Sequence, residues 1–152
     1  MLVHRATGMV GQAGERRSQA ENRRVALRRL RLVLAVAVRT APPGGWAGGA
    51  GGPDGAGVGG GAGGAATARA PSPLWRSRCR DGRISCNPSH EDFPALLAEA
   101  MDALTAAGWE PRPAGAALAC TPTQIVRLLG DHPPALAAAN AARASRGLHP
   151  LR

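Results

Sequence analysis

The tract PPGGWAGGAGGPDGAGVGGGAGGAATARAPSP, residues 42–73, limits what this chain can fold into more than any other feature. Thirteen of its 32 residues are glycine. Glycine brings no side chain to a core and loses the most backbone entropy on ordering, so residues 41–73 are predicted to form a disordered Gly/Pro-rich linker. Of the 152 residues, only 1–40 and 74–152 are left to bury apolar surface. Within the tract, GAGVGG at residues 55–60 spells the G-x-G-x-x-G dinucleotide pattern. No apolar strand precedes it and no amphipathic helix follows, so the setting that makes the pattern bind pyrophosphate is missing and the match is one of chance.

Charge divides the two remaining segments. Residues 1–39 carry nine Arg against Glu15 and Glu21, a net of +7; residues 40–73 are neutral; residues 74–152 carry nine Arg against seven acids, a net of +2. The chain has no lysine, and its all-Arg usage suits a GC-rich genome as well as it suits selection for RNA contacts. The position of the charge says more than its total: it gathers at the N-terminal end, as in a segment that binds a polyanion.

Cys79, Cys86 and Cys120 occur without an apolar leader, which predicts free thiols and a reducing, cytoplasmic location. Cys79, Cys86 and His90 have the chemistry of metal ligands, but the six-residue gap between the cysteines is not a zinc-knuckle spacing, so neither metal nor cofactor is expected. The apolar run from Leu32 to Val38 is too short to span a bilayer, so no membrane partner is expected either.

Ser18 followed by Glu21 has the spacing of a capping box and predicts a helix starting at Gln19. Leu27, Leu30, Leu34 and Val38 then fall on one face, and Arg17, Arg24, Arg28 and Arg31 on its neighbour. Taken as residues alone, that cationic face suits an ordinary solvated helix as well as a nucleic-acid contact. The wording of the segment adds a resemblance. VHRATGMVGQAGERRSQAENRRVALRRLRLVLA resembles the second half of the catalytic domain of class I peptide chain release factors and their bacterial release-factor-like relatives, an α+β domain when complete. A His-x-x-Thr-Gly strand and turn there lead into a Glu-Arg-Ser-Gln-x-x-Asn helix. The matching positions are His4, Thr7, Gly8, Glu15, Arg16 or Arg17, Ser18, Gln19 and Asn22.

The resemblance implies a partner, the ribosome and its RNA, with peptidyl-tRNA as a further one, and a chain that is monomeric off the ribosome. In that family a Gly-Gly-Gln loop helps water attack the ester of peptidyl-tRNA, and it precedes the His-x-x-Thr-Gly strand, which places it upstream of Met1. Gly11 and Gln12 follow that strand, and residue 10 is Val. The pair is therefore expected to be a bystander. No catalytic residue is assigned, residues 1–40 are expected to be a partial release-factor-like domain consisting of a strand remnant and a basic helix, and the 152-residue form is expected to be inactive in peptidyl-tRNA hydrolysis. The residues expected to bind RNA are Arg16, Arg17, Gln19, Asn22, Arg23, Arg24, Arg28 and Arg31.

Residues 74–152 are predicted to form a small helical bundle, which makes the whole chain mainly α. Ser89 or His90 is expected to cap a helix that buries Phe93, Leu96, Leu97, Ala100, Met101 and Leu104 and ends at Gly108. Ala116 to Leu129 resembles a helix-turn-helix in which Thr121 caps a second helix with Pro122 at its first position. A third helix is predicted from about Pro134 to Ser145, capped by Gly147. Thr123, Gln124 and Arg127 could read a groove or line the outer side of an ordinary helix, which keeps open a rival function: a small DNA-binding regulator with a basic arm.

Overall fold

The computed structural model describes residues 1–40 and 70–152. Most of the expected linker, with its GAGVGG stretch, lies outside the described residues. The described chain is mostly helical, with six helices and two short antiparallel hairpins.

The first hairpin pairs β1 (Leu2–Val3) with β2 (Val10–Gly11) in the register Leu2↔Gly11 and Val3↔Val10. Its connection is built by the His-x-x-Thr-Gly residues. His4 Nδ1 lies 2.8 Å from Thr7 Oγ1, the Gly8 amide donates to His4 O at 2.8 Å, and Gly8 takes the left-handed conformation at φ +71°. The strand remnant thus has a partner within the chain.

Helix α1 spans Gln19–Ala37, with Ser18 at its N-cap position. The capping box does not form, because the Ser18 side chain makes no cap hydrogen bond. Asn22 does related work instead: its side-chain oxygen accepts from the Arg16 amide at 2.9 Å and its nitrogen donates to Arg16 O at 2.7 Å, folding the entry loop onto the first turn.

The expected apolar stripe of α1 is also corrected. Leu27 is 39% exposed, while Leu30 is 6% exposed and is joined in burial by Ala26 and Ala35. The helix is used on two sides, since Ala26 and Ala35 are nine residues apart and fall about half a turn from each other. The first side packs on the hairpin: a Cβ on Gly11 would lie 2.7 Å from Leu30 Cβ and 2.8 Å from Leu30 N, and closer still to Ala26 O. The other side packs on α3 (Phe93–Ala106), with Ala35 in the shared core. Small residues allow both approaches.

Helix α2 (Pro73–Arg78) is capped by Ser72, whose hydroxyl accepts from the Trp75 amide, and Ser72 is itself held by Glu99 through its amide and hydroxyl at 2.7 and 2.6 Å. Order therefore begins before residue 74. Trp75 is buried and donates its indole N–H to Leu118 O at 2.8 Å. A second hairpin, β3 (Cys79–Arg80) with β4 (Arg83–Ile84), turns through Asp81 and Gly82 at φ +49° and +74°.

Helix α3 buries Phe93, Leu96, Leu97, Ala100, Met101 and Leu104 as expected, and Gly108 follows it at φ +65°. Its N-cap position falls at Asp92, whose side chain makes no cap hydrogen bond, while His90 Nδ1 accepts from the Asp92 amide at 3.1 Å and His90 O from the Phe93 amide, so His90 serves the helix start as expected of Ser89 or His90. The Asp92 carboxylate accepts instead from Arg78 Nε and Nη2 at 3.1 and 2.7 Å. Helices α4 (Pro111–Ala117), α5 (Pro122–Gly130) and α6 (Pro133–Ala144) complete the bundle. Thr121 caps α5 by accepting from the Gln124 amide, Pro122 opens that helix, and Gly147 follows α6 at φ +70°. Gly115 lets α4 meet the link to α5, since a Cβ there would lie 2.7 Å from Cys120 O.

Ala35 belongs to one core cluster with Trp75, Phe93, Leu118, Ile125 and Ala139, so the segments on either side of residues 41–69 share a core. Arg39 reinforces that contact, donating to Asp102 at 3.2 Å and to the Ala35 carbonyl at 2.7 Å. The C-terminal tail is strapped down as well. Asn140 accepts from the Leu151 amide at 2.7 Å and donates to its carbonyl, while Arg143 donates to the carbonyls of His149 and Trp109.

Candidate nucleic-acid interface

The expected RNA-binding residues gather at the N-terminal half of α1 and the loop before it, but they divide into two kinds. Arg16, Arg17, Gln19, Arg23, Arg24 and Arg31 are exposed. Asn22 and Arg28 are half-buried and already engaged. The Asn22 amide is spent on the Arg16 backbone. Arg28 Nη2 donates to Pro88 O, and Arg28 Nε is buried without a hydrogen-bond partner among the described residues.

The row Arg24, Arg28, Arg31 lies on the side of α1 that continues toward Ala35 and α3. Arg28 is therefore caught at the edge of the helix–helix contact. Arg31 lines a groove between α1 and α3 together with His4, Leu34 and Glu91. Arg23 is on the other flank, beside the hairpin. The loop arginines and Arg23 and Arg24 make no ion pair among the described residues. They form the cationic end of the helix.

Acids are few at this end. Glu15 pairs with Arg29, which also donates to Gln12 O at 2.7 Å. Hydrogen bonds from the Gly14 and Glu15 amides, with the Arg29 charge after them, hold the Glu15 carboxyl below its ordinary value. Arg29 was not among the expected contacts, and its i, i+14 relation to Glu15 closes the entry loop instead. Sequence reading had no local signal for that pairing, since no helical spacing connects the two.

Gly11 and Gln12 are used in packing. Gly11 is buried against Ala26 and Leu30, and Gln12 supplies its carbonyl to Arg29 and its side-chain nitrogen to Met1 Sδ at 3.8 Å. The three cysteines are free, and burial raises each thiol, that of Cys120 to about 12. Among the described residues, no cluster of three or more His, Cys, Asp or Glu is placed to hold a metal ion. No described helix is long and apolar enough to cross a membrane.

No family model, curated protein or solved structure matches the chain.

The helix-turn-helix surface offers less than its sequence suggested. Gln124 accepts from the Ile84 amide at 3.2 Å through its side-chain oxygen, tying α5 to the second hairpin. Thr123 and Arg127 remain exposed. One of the three side chains a groove reader would use is thus committed inside the protein.

Proposed function

We propose that the chain is a release-factor-like protein of translation termination or ribosome rescue, cytoplasmic, and that it binds ribosomal RNA through the cationic end of α1. One observation carries this reading: Arg16, Arg17, Arg23 and Arg24 are exposed, and the acids of residues 1–40 are Glu15, already paired with Arg29, and Glu21. Guanidinium groups so placed suit phosphate oxygens, to which they donate in pairs. Support also comes from the residues that carry the resemblance. His4, Thr7 and Gly8 make the hairpin turn and Asn22 fixes the helix entry, so these motif positions have a structural use in presenting the arginines.

In this division of labour Arg16, Arg17, Arg23, Arg24 and Arg31 contact RNA, Gln19 adds a hydrogen bond, and Asn22 and Arg28 position the helix. The sequence contains no Gly-Gly-Gln, and Gly11-Gln12 is engaged in packing, so the reading for this chain is binding without peptidyl-tRNA hydrolysis. The test is co-sedimentation with ribosomes. Binding that is lost in Arg23→Gln/Arg24→Gln and kept in Arg127→Gln is expected; the reverse pattern would move the interface to α5 and favour the DNA-binding alternative.

A further inference from the structure

The second hairpin and the helix before it clasp the link between α4 and α5. Trp75 donates its indole N–H to Leu118 O at 2.8 Å, Cys79 Sγ donates to Ala119 O at 3.6 Å, and the Thr121 amide donates to Gly82 O at 3.1 Å. Cys120 stands between the last two contacts, so a cysteine at the base of the hairpin meets a link that carries a second one. The Ala119 carbonyl that receives Cys79 belongs to the same planar peptide unit as the Cys120 Cα. Burial first, and the charge of Cys79 second, raise the Cys120 thiol to about 12, so the two sulfurs also act on each other. Cys86 is placed differently: its Sγ donates to Asn87 O at 3.6 Å, and the charges acting on it are those of Arg78, Asp92 and Asp131.

We propose that Cys79 and Cys120 are a reversible redox pair, joined into a disulfide by exchange with a low-molecular-weight disulfide and parted again by small thiols. The pair works independently of RNA binding. A disulfide needs Cα atoms about 4.4–6.8 Å apart and Cβ atoms about 3.5–4.5 Å apart. The clasp holds the two backbones close, and turning Cys79 about χ1, from Ala119 O to the neighbouring Cys120 sulfur, closes the bridge. Cys79 is half-buried and meets the oxidant first, while Cys120 is buried and resolves. The Cys79 thiol loses its proton to water, and its thiolate attacks one sulfur of the small disulfide, breaking that S–S bond and releasing one small thiolate, which takes up a proton. Cys120 then loses its proton and its thiolate attacks the Cys79 sulfur; the protein S–S bond forms as the mixed disulfide breaks and the second small thiol leaves. Two protein thiols are oxidised, and one small disulfide is reduced to two thiols. Burial raises both protein thiols, so few thiolates are present near neutrality and the exchange is slow, which suits a response to sustained oxidation. The bridge ties β3 to the α4–α5 link and closes the chain from residue 79 to residue 120, which restricts the unfolded state.

The experiment equilibrates the folded full chain with reduced and oxidised glutathione at several ratios, quenches with acid, and reads intact mass and thiol content in denaturant. At the oxidising end one thiol, that of Cys86, is expected to remain of the three, the mass to fall by two hydrogen atoms, and peptide mapping to join Cys79 to Cys120. Cys86→Ser is expected to form the same bridge, Cys79→Ser to form none, and dithiothreitol to restore every thiol. The bridged form is expected to unfold at a higher urea concentration than the reduced form. Three free thiols at every ratio, glutathione retained on Cys79, or a bridge that includes Cys86 would overturn the pair. So would a bridge that lowers the urea midpoint, since the native geometry would then have to distort to admit it.

Discussion

At the scale of single residues, two glycines in the N-terminal segment make opposite predictions from their surroundings. Gly11 lies against the backbone of α1, where a Cβ would come within 2.7 Å of Leu30 Cβ, whereas Gly14 has nothing within 4 Å of the same added atom. Gly11→Ala is expected to lift the hairpin from the helix and cost about 1–3 kcal/mol, as overpacking of a tight contact does. Gly14→Ala should stay within about 0.5 kcal/mol of wild type. Urea denaturation followed by helix circular dichroism measures both, and equal effects would mean that hairpin and helix do not meet as described. The sequence pointed to Gly11 for another reason, its place before a glutamine. Packing accounts for it better, and nothing in the local pattern could have shown that, since Gly11 and Ala26 are brought together only by the fold. Asn22 is the companion case: the motif singled it out, and its use turned out to be the bracket on Arg16.

At the scale of elements, the helices of residues 74–152 were legible because their signals are local. Thr121-Pro122 opened α5, Gly108 and Gly147 followed α3 and α6, and the six-residue stripe of α3 is buried as its periodicity required. The second hairpin was missed, although Asp81-Gly82 is a strong two-residue turn signal. Its strands are two residues long, too short to show alternation. Helix α1 was placed correctly, and of its apolar stripe Leu30 is buried, Leu34 and Val38 are half-buried and Leu27 is exposed, while Ala26 and Ala35 fill the places where backbones approach closely. The junction of α1 with the start of α6 yields a prediction in pH. Burial first, and the Arg28 charge second, hold the His132 imidazole below its ordinary value of 6.5. The unfolded chain therefore takes up the proton first, so the stability linked to His132 is complete above pH 6.5 and falls as the pH drops below it. His132→Asn is expected to flatten that acid limb in thermal melts. An unchanged limb would contradict this role for His132.

At the scale of the whole molecule, charge asymmetry and the Gly-rich tract suggested separate pieces, while the structure joins residues 1–40 and 70–152 through Ala35 and the Arg39–Asp102 pair. Contacts of this kind connect residues more than 60 positions apart, and no local pattern encodes them. A protease site inserted within residues 50–60 and then cut should leave the two pieces co-eluting in size-exclusion chromatography; two separate peaks would contradict the shared core. The start of α1 exposes Arg16, Arg17, Arg23 and Arg24, and the central claim is that these arginines meet RNA phosphates. The most direct measurement is the salt dependence of binding to ribosomes, compared between wild type, Arg23→Gln/Arg24→Gln and Arg28→Gln. Four to six phosphate contacts imply a log–log slope of about −3 to −5 for the wild type, with roughly 0.7–0.9 lost per arginine removed. The double variant is expected to show that shallower slope, and Arg28→Gln to lower thermal stability with little change in slope. A wild-type slope near zero, or a slope that Arg23→Gln/Arg24→Gln leaves unchanged, would contradict the account.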